Sequence, residues 1–167
     1  TLDAFWELRE DFDNVGCVIQ SYLYRSVDDI RKISESGAAV RLCKGAYQEP
    51  PEIAFPRKDD VDNHYRKLAE HLLQPASIER GTYPAFATHD LQMIEHVRQL
   101  TQDLDRSQFE FQMLYGIRRE LQVSLAQEGY QVRVYIPFGP EWYPYFMRRL
   151  AERPANALFL LRSLMSG

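Results

Sequence analysis

Two adjacent arginines, Arg148 and Arg149, stand in "FGPEWYPYFMRRLAER" among the rings of Trp142, Tyr143, Tyr145 and Phe146. At about 100° per residue on a helix, Trp142, Phe146 and Leu150 form one apolar stripe. Tyr145, Arg148, Arg149 and Glu152 then share an adjacent sector. Guanidinium forks bind planar anions bidentately, so two of them aimed at a cavity suit a small carboxylate or a phosphate. The same spacing also fits a solvated pair satisfied by Glu141 and Glu152.

A third arginine, Arg41, lies inside "VRLCKGAY", a run otherwise suited to a strand. Alternation puts it on one face with Ala39 and Cys43, where a cation needs an anionic or electron-rich partner. A buried structural salt bridge and a ligand contact both meet that need. Lys44, Gly45, Ala46 and Tyr47 follow it: a cation, a flexible glycine and a ring where loops reach ligands. "ATHD" at 87–90 ends another strand and starts a helix, with Thr88 or Asp90 as its cap. Free N–H groups at a helix start suit phosphate, and capping alone also explains the residues. His64 and His71, like His89 and His96, are seven apart, outside the i, i+4 spacing of helix-borne zinc ligands, so no metal site is expected. No G-x-S-x-G turn supports a nucleophilic hydrolase. Glu110 and Gln112 share a strand face, but one carboxylate does not make a glycosidase pair.

The elements that must position these groups alternate. Short β-branched and aromatic runs at Cys17–Leu23, Ala38–Cys43, Ala85–Thr88, Phe109–Leu114 and Val132–Ile136 predict strands. Helical patterns separate them. One starts at a capping-box-like Ser26 and Asp29 and stops at Gly37, one covers 60–74, and another stops at Gly129. With an N-terminal helix and a last apolar helix after Pro154, the order is α followed by five βα units. That order predicts a parallel sheet with right-handed crossovers. No G-x-G-x-x-G follows a strand, which weakens a dinucleotide-binding open sheet. A polar residue stands near the end of every strand: Gln20, Arg41, Thr88 with His89, Gln112 and Tyr135. Polar side chains in buried parallel strands are costly unless they line a cavity, and (β/α)8 barrels build their sites at that end. Five strands cannot close such a barrel. Residues 1–167 are therefore expected to be the C-terminal portion of one α/β domain, a partial (β/α)8 barrel whose N-terminal strands precede this chain.

Composition excludes several classes. With 45% hydrophobic and 26% charged residues, a net charge of −4 and pI near 5.6, the chain is neither disordered nor a dedicated nucleic-acid binder. No apolar run approaches the roughly 18 residues of a transmembrane helix. The start, "TLDAFWELRE", lacks a signal-peptide pattern. A soluble intracellular protein is expected, with Cys17 and Cys43 as reduced core thiols.

Taken in order, "VIQSYLYR", "VRLCKGAY", "ATHD", "FEFQMLYGIRREL" and "VRVYIPFGPEWYPYFMRRLAERPAN" resemble the flavin-dependent proline dehydrogenases, in particular the single-function bacterial type. The resemblance implies a distorted (β/α)8 barrel that holds FAD at its strand ends. It also implies oxidation of L-proline to Δ1-pyrroline-5-carboxylate, with electrons passed to a quinone. On that basis Arg148 and Arg149 would grip the substrate carboxylate, while Tyr145, Tyr47 and Leu114 wall the pyrrolidine ring. Arg41 and Tyr135 would be catalytic, Arg41 near flavin N5 and Tyr135 against the substrate ring. Gln20, Arg41, Lys44, Gly45, Ala46, Thr88, His89 and Glu152 would contact FAD. The protein would be cytoplasmic and could meet the inner membrane face peripherally where the quinone is reduced. Cys43 departs from the family's usual apolar residue. The strands that carry the family's catalytic lysine and aspartate are absent, so this chain alone would lack a complete site. Two alternatives remain: a non-catalytic flavin-binding or interaction fragment, and another barrel enzyme acting on a phosphorylated carboxylate.

Overall fold

Five strands pair in sequence order, all parallel, in a computed structural model that describes residues 1–45 and 49–140. The element order is α1 (Leu2–Asp11), β1 (Gly16–Gln20), α2 (Ser26–Glu35), β2 (Ala39–Cys43), α3 (Lys58–Leu72), α4 (Pro75–Glu79), β3 (Tyr83–Ala87), α5 (Leu91–Leu100), β4 (Glu110–Leu114), α6 (Arg119–Gln127) and β5 (Val132–Tyr135). A 3-10 turn at Arg106–Gln108 leads into β4. Consecutive strands that lie side by side, joined by helices, are the connectivity of a (β/α) barrel wall.

Period-two alternation sorts the strands' side chains into two sets. Cys17, Ile19, Val40, Leu42, Phe86, Phe111 and Met113 pack under the helices and are buried. They meet Ile30 and Ile33 of α2, Tyr65, Leu68 and Leu72 of α3, Met93 and Val97 of α5, and Leu125 of α6. Burying each such side chain stabilises the fold by about 1.5–3 kcal/mol, so this face dominates the fold's energetics. Near β4, Phe86, Phe109, Phe111 and Tyr130 interlock edge to face or tilted, with centroids 5.4–6.3 Å apart.

Several expected details are corrected. β1 stops at Gln20 because the chain turns there, with Leu23 N–H donating to Gln20 O. β3 begins two residues early and takes in Pro84, which pairs with Val40. Ser26 is not a cap: Arg25 holds the cap position, and the Ser26 hydroxyl donates to Gln20 O at 2.6 Å, tying α2 to the end of β1. Gly37 follows that helix at φ +68, and a Cβ there would lie 2.1 Å from Arg80 O, so only glycine lets the two backbones approach. The short helix α4, opened by Pro75, was not anticipated. Cys17 is a buried thiol whose pKa burial pushes up to about 11. Cys43, expected in the core, lies on the opposite sheet face and is half-buried. The last apolar helix lies outside the described residues. Among those described, no helix is long and apolar enough to cross a membrane.

Candidate active site

The sheet face turned away from the helices carries the polar strand residues. Register sets them in rows: Val18, Arg41, Ala85 and Glu110 across β1–β4, then Gln20, Cys43, Ala87, Gln112 and Arg133 across all five strands. Leu114 and Tyr135 pair above them at the C-terminal end. Val18 is 51% exposed and Tyr135 48%, whereas Cys17 and Ile19 on either side of Val18 are buried.

Arg41 crosses this face. Its Nη1 donates to Gln112 Oε1, two strands away, passing over β3 where the inward positions are Ala85 and Ala87. Neighbouring strands lie about 4.8 Å apart, so the reach is roughly 10 Å and needs small residues on the strand between. Gln112 Nε2 in turn donates to Glu110 Oε1. Arg133 of β5 forks onto the same carboxylate, Nε to Oε1 at 2.7 Å and Nη2 to Oε2 at 3.0 Å, and the Tyr83 hydroxyl approaches Oε2 at 3.4 Å. Burial would raise the Glu110 pKa, but the bonds from Arg133 and Gln112 outweigh it and hold the carboxyl below its ordinary value. Of the two readings left open for Arg41, a direct salt bridge is not made among the described residues, where its partner is a neutral amide oxygen.

A second charged cluster sits at the ends of β2 and β3. Lys44 Nζ, itself buried, donates to Asp62 Oδ1 and to Asp90 Oδ2, the latter at 2.6 Å, and Lys58 Nζ donates to Asp62 Oδ2. Both aspartates face a burial penalty, and both are nevertheless held below the usual carboxylate range by these bonds. Asp90 is also the N-cap of α5, its Oδ1 accepting from Gln92 N–H at 2.9 Å, while Thr88 Oγ1 accepts from Asp90 N–H at 3.1 Å. The capping expectation therefore divides: Asp90 caps the helix, and Thr88 braces the turn before it.

Beside them, His89 Nε2 accepts Leu114 N–H at 2.9 Å. An amide can only donate, so the neutral ring carries its proton on Nδ1. Burial, with the Arg118 and Arg41 cations adding to it, pushes the His89 pKa down to about 4, and the ring is neutral at pH 7. Arg118, the residue before α6, adopts φ +51. Gly45 has φ +106, and a Cβ there would lie 2.2 Å from the Tyr22 ring, so glycine is required where the chain leaves β2. Gln20 borders a groove of about 660 Å³, also lined by Tyr22, Tyr24, Glu49 and Ile53.

Gln20, Arg41, Lys44, Gly45, Thr88, His89, Leu114 and Tyr135 thus gather at the C-terminal half of one sheet face or on its rim. Ala46, Tyr47, Tyr145, Arg148, Arg149 and Glu152 lie outside the described residues. Sequence reasoning missed the parts played by Asp62, Arg133, Ala85 and Ala87. Alternation in "VRVY" does put Arg133 beside Tyr135, and the same rule paired Glu110 with Gln112. The link between the two strands had no signal.

The chain matches the family model described as proline dehydrogenase over residues 1–162. It is 48% identical over 167 residues to Proline dehydrogenase 1 of Bacillus subtilis strain 168, covering 99% of this chain and 54% of that protein. It is 46% identical over 172 residues to Proline dehydrogenase of Deinococcus radiodurans, covering 100% of this chain and 54% of that protein. The chain spans about half the length of the curated relatives it matches. Among solved structures, it superposes with a TM-score of 0.80 and 31% identity on proline utilization A (PutA) from Bdellovibrio bacteriovorus inactivated by N-propargylglycine, covering 89% of this chain and 18% of that one.

Proposed function

The chain belongs to the proline dehydrogenase family, and from that premise we propose that it is the C-terminal part of a (β/α)8 barrel that oxidises L-proline with bound FAD. The observation that carries this reading is the rim itself. A cation on a neutral acceptor, a neutral imidazole and a tyrosine lie on or beside a sheet face that no helix among the described residues covers, with Gly45 packed against the Tyr22 ring at its rim. The residues present fit a flavin: the sheet face is broad, its polar groups are satisfied, and Arg41 is bonded to no carboxylate among the described residues.

A bound flavin supplies the acceptor for the hydride that leaves C5 of proline. The nitrogen lone pair must form the C=N bond as the C5–H bond breaks, so the ammonium has first to lose one proton. The protonated imine that results then releases its N–H proton to give Δ1-pyrroline-5-carboxylate. Arg148 and Arg149 hold the substrate carboxylate as a bidentate clamp. Tyr135, Leu114, Tyr145 and Tyr47 pack against the pyrrolidine ring and keep C5 in near-attack geometry. Arg41 places positive charge where negative charge develops. Gln20, Lys44, Gly45, Ala46, Thr88, His89 and Glu152 hold the cofactor. Two of the three Lys44 donors are already committed to Asp62 and Asp90, so its ammonium adds at most one bond. Electrons leave to a quinone, in the cytoplasm or at the inner membrane face.

The test is direct. The complete protein, purified anaerobically, is expected to show flavin absorbance that L-proline bleaches. A colourless protein, or a yellow one inert to proline, refutes the assignment.

A further inference from the structure

We propose that Gln112 is a positioning residue that aims Arg41 at the cofactor while leaving its positive charge intact. The inference rests on the reading above that Arg41 faces a flavin. It starts from the polarity of the hydrogen bonds. Glu110 is buried and ionised, so every partner it takes must donate. Gln112 accordingly turns its NH2 toward Glu110, and its amide oxygen is left for Arg41. The Glu110 charge is already matched by the Arg133 fork, and Glu110 reaches Arg41 only through the amide. The chain Arg41, Gln112, Glu110, Arg133 thus carries one cation more than anion, and among the described residues the guanidinium at the Arg41 end has no carboxylate partner. A carboxylate at position 112 would pair with Arg41 and cancel that charge, losing the donor to Glu110 in the process, while an apolar residue would leave the charge and release the side chain. Ala85 and Ala87 serve the same end, because any larger inward residue on β3 would block the crossing.

The experiment uses the complete flavoprotein and its Gln112→Glu and Gln112→Met variants. Three quantities are read: the dissociation constant for FAD, the two-electron reduction potential of the bound cofactor, and the unfolding midpoint. Gln112→Glu is expected to lower the affinity for reduced relative to oxidised cofactor at least tenfold, a shift of about 30 mV to more negative potential. Gln112→Met is expected to weaken FAD binding about tenfold with a smaller change in potential, and it decides the matter if Gln112→Glu does not fold. A purely structural role would move only the unfolding midpoint. Unchanged potential in a folded Gln112→Glu protein, or unchanged FAD affinity in Gln112→Met, overturns the inference alone. A parent protein without flavin overturns the functional reading, and this inference falls with it.

Discussion

The same five strands present two faces that follow opposite rules. Under the helices, Ile19, Val40, Leu42, Phe86, Phe111 and Met113 are all at most 4% exposed, and none needs a specific partner. On the other face, Arg41, Glu110, Gln112 and Arg133 are linked donor to acceptor across three strands, with alanines between them. Hydrophobic burial is non-directional and tolerates variation of similar volume, whereas a polar network is all or nothing in its geometry. The first face holds the fold together. The second spends local stability on a fixed arrangement of charge.

The largest expected effect tests that division on its apolar side. Phe111→Ala removes a ring in contact with Phe86, Phe109 and Tyr130 and should cost about 3–5 kcal/mol in denaturant unfolding. A cost comparable with that of a change on the open face would erase the contrast. Next is a pH effect at the rim. The folded-state pKa of His89 is depressed from 6.5 to about 4, so in that window the unfolded chain binds the extra proton. Stability from this group is therefore complete above about pH 6.5 and is lost as pH falls toward 4, on the order of 3 kcal/mol. Urea unfolding at pH 7 and pH 4.5 should show that loss in the parent and not in His89→Gln, which keeps an acceptor without titrating. Asp90→Ala removes the α5 cap and one Lys44 partner and should cost about 1–2 kcal/mol, read as a lower unfolding midpoint. Smallest in stability is Arg41→Met, expected to cost less than about 1 kcal/mol because its partner Gln112 is only half-buried. The same variant should bind FAD about tenfold more weakly or worse, and full FAD affinity would contradict the place given to Arg41.

Alternation made much of this readable beforehand. Period two in "VRLC" and "EFQM" puts Arg41 with Cys43 and Glu110 with Gln112, and both pairs share a face in the structure. Glycine after a helix was a sound stop signal at Gly37 and Gly129, both at positive φ. Capping chemistry was ambiguous at Ser26, because a serine hydroxyl donates as readily as it accepts, and the end of β1 offered it a carbonyl. Cys43 was placed in the core because an apolar strand run does not say which of its two faces the helices will cover.

Local spacing thus settled the kinds of element, their order and the sorting of apolar from polar side chains, since backbone periodicity acts over a few residues at a time. The meeting of Arg41 with Gln112, 71 positions apart, was decided only when β2, β3 and β4 paired in one register with Ala85 and Ala87 between them. The same holds for Lys44 between Asp62 and Asp90, and for His89 beneath Leu114. A side chain finds a distant partner through the geometry of the whole sheet, and no stretch of sequence short enough to read as a motif contains that geometry.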